Sequence, residues 1–182
     1  MTAEQEGPKP RRRTKKQAQP MEDNATVSRE DYALFIGQIE LENIWLATVH
    51  IENTHGPKTP DHATFHFSST ARQEPLVGGF RAFHHYTVRI EAVDSLLAEL
   101  QVTFGVDFAS TLPLTDEVFS IFEEVNLPVN TWPYLREFVS TTIGRIGWLP
   151  FTIPALKQGV KNAKRPTTST RMQGPKAQRT AE

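Results

Sequence analysis

The stretch Ser95-Leu96-Leu97-Ala98-Glu99-Leu100-Gln101-Val102-Thr103-Phe104-Gly105-Val106-Asp107-Phe108 decides the fold class. Leu96, Ala98, Leu100, Val102, Phe104, Val106 and Phe108 alternate with Glu99, Gln101, Thr103 and Asp107. A period of two puts the apolar set on one face of a strand. Residues 80–92 repeat the pattern, with Phe80, Ala82, Tyr86, Val88 and Ile90 on one side and Arg81, His85, Arg89 and Glu91 on the other. The link Val93-Asp94-Ser95 leaves no room for a crossover helix, so the two strands form an antiparallel hairpin, not a parallel α/β unit.

Further towards the N-terminus, Ala63, Phe65 and Phe67 alternate with Thr64, His66 and Ser68 in a second strand, whose connection to the next ends at Gly78-Gly79. The turn residues Asn53-Thr54-His55-Gly56-Pro57 and Pro60 precede it. Before them, Phe35, Ile39, Leu41, Trp45, Ala47, Val49 and Ile51 alternate with Gln38, Glu40, Glu42, Thr48 and His50 in a first long strand. Ile44 and Leu46 break the alternation near Asn43, which predicts a bulge or burial on both faces there.

Towards the C-terminus the period changes to that of helices. Thr115-Asp116-Glu117-Val118 reads as a cap, followed by a short amphipathic piece through Phe119, Ile121, Phe122 and Val125 that stops at Asn126-Leu127-Pro128. The principal helix is predicted to start at Pro133, with Leu135, Phe138, Val139, Thr142, Ile143 and Ile146 on one face, and to close at Gly147 and Pro150. Residues 148–156 are apolar and proline-broken, an extended arm or lid. Four long strands followed by helices give an α+β domain.

The chain has 182 residues and no cysteine, a length that suits one domain with tails and a composition without disulfides, thiolate metal sites or thiol catalysis. Its net charge of −1 averages segments of opposite sign. Residues 1–24 carry a net +2, residues 157–182 a net +6, and residues 25–156, with seven basic and sixteen acidic side chains, a net −9. The polar, proline- and lysine-rich ends cannot offset their ordering entropy, so the expected division is a disordered tail over 1–28, a domain over 29–157 and a disordered basic tail over 158–182. With no run of about 18 apolar residues and a hydrophilic N-terminus, a soluble cytoplasmic protein is expected.

Motifs for chemistry are missing. The histidines His50, His55, His62, His66, His84 and His85 lie in the strand-rich half. His62 and His66 share a strand face but stand about 13 Å apart, and His84 and His85 point to opposite faces, so no metal is assigned. No nucleophile elbow, Walker loop, dinucleotide fingerprint or zinc-protease helix occurs, and the acid pairs Asp116-Glu117 and Glu123-Glu124 are helix neighbours that do not converge on one substrate. Neither an enzyme nor a cofactor is expected. What stands out is an apolar surplus near the helices: Phe119, Phe122, Leu127, Val129, Trp132, Trp148, Leu149 and Phe151. Each can be core. Together they can also form an oligomer interface or a groove for apolar peptide segments, with acidic surroundings favouring cationic unfolded chains.

The run Trp132-Pro133-Tyr134-Leu135-Arg136-Glu137-Phe138, followed by Arg145 and an apolar arm ending in Ile153-Pro154, resembles the SecB family of protein-export chaperones. The family pattern is F-P-Y-A-R-E, then R-G, then a proline- and leucine-rich arm, which Pro133, Tyr134, Arg136, Glu137 and Arg145 match. The resemblance covers about residues 33–156. It implies a four-stranded antiparallel sheet followed by a crossover segment and a long helix, assembled as a homotetramer built from two dimers.

The implied function is that of an ATP-independent holdase, which binds unfolded preproteins in apolar grooves and keeps them export-competent for the Sec translocase. Phe65, Phe67, Phe119, Phe122, Val129, Trp132, Trp148, Leu149 and Phe151 are the expected client contacts. Leu97 and Glu99 fall where the family has a leucine and a glutamate that contact the SecA motor, while two acidic contact positions align with Asn43 and Ala47. Arg136 and Glu137 are expected to order the helix or an interface. Some SecB-like proteins instead protect the antitoxin of a toxin–antitoxin system, and an antitoxin is the alternative partner. Base stacking on sheet aromatics is disfavoured by the −9 body, and two further classes stay open: a hotdog-type thioesterase, whose helix normally lies within the strand order, and a nucleic-acid-tethered regulator acting through Arg11-Arg12-Arg13 and the C-terminal lysines.

Overall fold

A computed structural model describes residues 27–93, 95–156 and 168–170. The expected hairpin is its centre. Strand β3 (Gly79–Ala92) pairs antiparallel with β4 (Ser95–Ser110), and every second residue of β3 from Phe80 to Ile90 is buried. Strand β2 (Ala63–Leu76) pairs antiparallel with the other side of β3, and β1 (Ile39–Asn53) with the outer side of β4. The β2 to β3 turn is only Val77-Gly78, and its positive φ of 79° at Gly78 is a conformation that glycine adopts without strain. With the short strand β5 (Thr168–Thr170) beside β2, the sheet order is β1-β4-β3-β2-β5.

The observed α+β architecture agrees with the expected fold class, with three corrections. Phe35 is not in a strand. It belongs to helix α1 (Arg29–Ile36), capped by Ser28, whose side chain accepts from the Asp31 N–H. Phe35 is buried against Phe80 and Phe122, so the apolar residue that continued the strand alternation is a helix anchor.

The two expected helices are one. Helix α2 (Asp116–Arg145) runs through Pro128 and Pro133 without ending, so Pro133 does not start it. Each proline removes an N–H from the ladder, at about 3 kcal/mol in a helix interior. The offset is a continuous buried stripe, Phe119, Phe122, Leu127, Thr131, Leu135, Val139 and Ile143, laid across the sheet. The cap at Thr115 and the stop at Gly147, with φ of 90°, are as expected.

The third correction concerns β1. Register shifts fall between Leu41 and Asn43, as expected near Asn43, and again between Leu46 and Thr48. Each shift moves the alternation by one residue. Ile44 and Leu46 therefore face the helix side with Leu41, Val49 and Ile51, opposite the inward residues of β4, and Trp45 turns to the outer face over Gly105. A Cβ on Gly105 would lie 2.3 Å from the Trp45 ring, so the indole occupies the space a side chain would need.

Within the segment 158–182, Thr168–Thr170 forms the edge strand β5. Val27 and Ser28 of the expected N-terminal tail are described, with Ser28 capping α1, while residues 1–26, 157–167 and 171–182 lie outside the described residues. No helix among the described residues is long and apolar enough to cross a membrane.

Candidate functional site

A row of aromatic contacts lies where β2, α2 and the arm meet. Phe65 and Phe67, two residues apart on β2, share the helix-facing side with ring centroids 6.5 Å apart. Trp132 on α2 lies 5.8 Å from Phe67 and 6.2 Å from Tyr86. Phe151 of the arm stacks on Phe65 at 4.0 Å and 13°, which leaves Phe65 with no exposed surface.

The arm is extended, as expected, and is held by side-chain donors one helical turn apart on α2. Trp132 Nε1 donates to the Pro154 carbonyl at 2.9 Å, and Arg136 Nε donates to the Ile153 carbonyl at 2.8 Å. At its start, Trp148 Nε1 donates to the Gly56 carbonyl at 2.7 Å, and the Leu149 N–H to Thr59 Oγ1 at 2.9 Å. Asn53 Oδ1 in turn accepts from the N–H groups of His55 and Gly56, shaping that loop. An extended segment of nine residues, 148–156, is thus tied at two places and lies over an aromatic floor.

Elsewhere between β2 and α2 lies a cleft of about 500 Å³ lined by Ser69, Thr70, Ala71, His84, Glu123, Glu124 and Pro128. Partial burial and the neighbouring Glu124 raise the pKa of Glu123. The floor is fixed by Thr131. Its hydroxyl donates to the Leu127 carbonyl at 3.0 Å, which leaves its oxygen to accept from Tyr86 Oη and from His84 Nδ1, each at 2.8 Å. Desolvation first, and the charge of His85 second, lower the His84 pKa to about 4. Burial raises that of Tyr86 further above its ordinary value than the Thr131 hydrogen bond lowers it. Three polar groups are thereby satisfied in an apolar layer, and α2 is pinned to β3.

The nine expected client contacts do not form one surface. Phe65, Phe67, Trp132 and Phe151 come together. Phe119 and Phe122 lie at the other end of the sheet, where Phe122 contacts Phe35, Phe80 and Phe108 edge-on as a fully buried core residue. Trp148 is buried at the arm's anchor, while Val129 and Leu149 are exposed. Tyr32 and Asn126, which sequence reasoning did not single out, tie α1 to α2 through a 2.7 Å hydrogen bond, and burial pushes the Tyr32 pKa up to about 12.

The two positions expected to meet a motor also separate. Glu99 is on the outer sheet face, accepting from Gln101 and lying 3.6 Å from Arg89. Leu97 is 5% exposed, and its carbonyl accepts from the N–H groups of Thr54 and His55. Of the two aligned acidic positions, Asn43 is exposed and Ala47 half-buried. In the family motif, Tyr134 is exposed with its ring 6.3 Å from Phe104, Glu137 accepts from Thr141 Oγ1, and Arg145 closes the last turn of α2.

His84 and His85 do point to opposite faces, the latter to Thr103 Oγ1 on the outer side, and His66 pairs with Glu91 at 3.3 Å. Among the described residues, no three His, Cys, Asp or Glu side chains gather as a metal-ligating group. The helix-facing side of β1, by contrast, carries Leu41, Leu46, Val49 and Ile51, each at least 40% exposed, beyond the reach of α2.

No protein-family model matches the chain, and no curated protein matches it in sequence. Among solved structures it is similar to a SecB-like chaperone of Mycobacterium tuberculosis in complex with a ChAD peptide from the HigA1 antitoxin. The TM-score is 0.61 and the identity 18%, over 69% of this chain and 95% of the other. The fold is therefore SecB-like, with a four-stranded antiparallel sheet and a long C-terminal helix.

Proposed function

We propose that the chain is a SecB-like holdase chaperone, working without nucleotide and without a catalytic step, which binds extended apolar segments of unfolded polypeptide between β2 and α2. The observation that carries this reading is the row Phe65, Phe67, Trp132 and Phe151 beneath an arm that hydrogen bonds tie at its two ends. When the arm lifts, the row becomes a hydrophobic strip, and Glu123 and Glu124, which line a cleft between the same two elements, favour cationic clients. A holdase acts by mass action, lowering the free concentration of the unfolded chain.

A dedicated client such as an antitoxin is favoured over general export through SecA. Leu97 is buried and Asn43 and Ala47 carry no charge, which weakens docking of the motor, and the similar chaperone was solved with an antitoxin peptide. The exposed apolar stripe of β1 supports self-association into dimers and tetramers, because a stripe of that kind is an interface or a liability. A cytoplasmic location belongs to the same proposal.

The test uses Trp132 as reporter. In a variant with Trp45→Phe and Trp148→Phe, adding a permanently unfolded, tryptophan-free protein should shift Trp132 emission and saturate. Binding detected by another method with unchanged Trp132 emission would place the client elsewhere.

A further inference from the structure

Strand β2 is an edge of the four-stranded sheet, and edges are templates for an added strand. Here the added strand comes from the chain itself. Thr168–Thr170 runs antiparallel to the start of β2, with Ala63 opposite Thr170, Thr64 opposite Ser169 and Phe65 opposite Thr168. From His66 to Leu76, no described residue pairs with the outer edge of β2.

The position of this pairing matters. Phe65 is the β2 residue whose ring forms the groove floor under Phe151, so a segment bonded to β2 at Phe65 runs along the rim of that groove. It takes the backbone groups that an extended polypeptide, with its side chains on the aromatic row, would use. A ladder of three residues is short, and each hydrogen bond contributes little once the water it replaces is counted. What maintains it is tethering. Residues 157–167 connect it covalently to the arm, so the pairing is intramolecular and needs no second molecule. The Thr-Ser-Thr sequence suits an extended conformation, and the net +6 of residues 157–182 complements the acidic domain.

We propose that the β2 edge at Ala63–Phe65 is a strand-addition site for extended polypeptide, and that Thr168–Thr170 occupies it as an internal competitor which clients displace. The proposal rests on the holdase reading. A client that offers a longer ladder towards Leu76 and apolar side chains to the groove outcompetes three residues, whereas a short or polar segment does not. The tail thus sets a threshold for binding.

The experiment compares the full chain with its Thr168→Pro/Ser169→Pro variant. In an antiparallel pair successive residues alternate in which side their N–H faces, so two adjacent prolines remove the donor aimed at β2 in either phase. The probe is a fluorescently labelled, reduced and carboxymethylated protein that cannot fold, and amide exchange at residues 63–65 is followed without probe. The expected result is about three- to tenfold tighter binding by the variant, with faster exchange at 63–65. Equal affinities, with both proteins binding, would overturn the competitor and leave the holdase standing. Binding by neither protein would bring down the holdase reading and the competitor with it. Protection at 63–65 that fades on dilution of the wild-type chain would assign the added strand to a second copy and overturn the internal arrangement.

Discussion

Phe151 lies face to face with Phe65, ring centroids 4.0 Å apart and planes 13° from parallel, so that a residue of the arm covers a residue of the sheet. Both rings belong to the same buried core as Phe35, Phe80, Phe108 and Phe122, which contact one another at the far end of the sheet. The contact makes the arm the cover of the groove.

Phe151→Ala removes that cover. The expected loss is about 3 kcal/mol of unfolding free energy, in the range for a buried Phe truncated to Ala, together with a rise in binding of a hydrophobic fluorescent dye as Phe65 and Phe67 gain access. Denaturant titration and dye fluorescence check the two effects. An undiminished stability with unchanged dye binding would show that the arm does not cover the row.

His84 gives the fold a pH dependence with a defined sign. Its pKa is about 4 in the folded chain, below its ordinary value of 6.5, so between these the unfolded chain binds a proton that the folded one refuses. Stability from this group is complete above the unfolded value and falls as pH drops from there towards the folded value, by at most about 3 kcal/mol. His84→Asn keeps a donor for Thr131 and cannot titrate. Its unfolding free energy should fall less steeply than that of the wild type over the same window in denaturant titrations.

Gly105→Ala should destabilise by about 1–3 kcal/mol, the cost of overpacking, because the added carbon meets the Trp45 ring. Combined with Trp45→Ala, the glycine substitution should cost much less than it does alone. A thermodynamic cycle over the two sites measures that coupling, and additivity would contradict the close approach.

Leu46→Asp with Val49→Asp should leave the subunit folded and lower its native mass, because both residues expose nearly half of their surface on the subunit and lie on the apolar side of β1. Sedimentation of the wild type should give a multiple of the 20.6 kDa chain mass. A wild-type monomer would remove the proposed assembly.

Strands β3 and β4 were legible because each has one face on the core and one away from it, so a period of two is written directly into Phe80–Ile90 and Leu96–Phe108. Strand β1 obeys the same rule only between its register shifts, and the apparent run of odd apolar positions mixes inward Val49 with outward Trp45. Phe35 extended that run by coincidence, since a single buried ring carries no period. Pro128 and Pro133 read as boundaries because local backbone chemistry disfavours them, while the stripe from Phe119 to Ile143 that overrides them spans a distance no local rule measures.

The site was visible as an aromatic surplus but not as a geometry. Nothing in the spacing separates Phe122, locked in the core, from Trp132, on the groove wall. Arg136 was read as ordering a helix or an interface, and its partner is the arm carbonyl of Ile153, a contact that depends on where the chain returns after Gly147. The addition of β5 to β2 had no signal in the sequence, because a polar Thr-Ser-Thr segment has no apolar period.

The central claim is that this SecB-like fold holds unfolded chains in its groove. The most direct measurement is light scattering of a denatured, slow-folding protein diluted into buffer with increasing amounts of this protein and no nucleotide, repeated with Trp132→Ala. The account predicts suppression of aggregation at near-stoichiometric amounts, weakened several-fold in the variant. Aggregation at the same rate with and without the folded wild-type protein would contradict general chaperoning, and an antitoxin-type segment that also failed to bind would contradict the account as a whole.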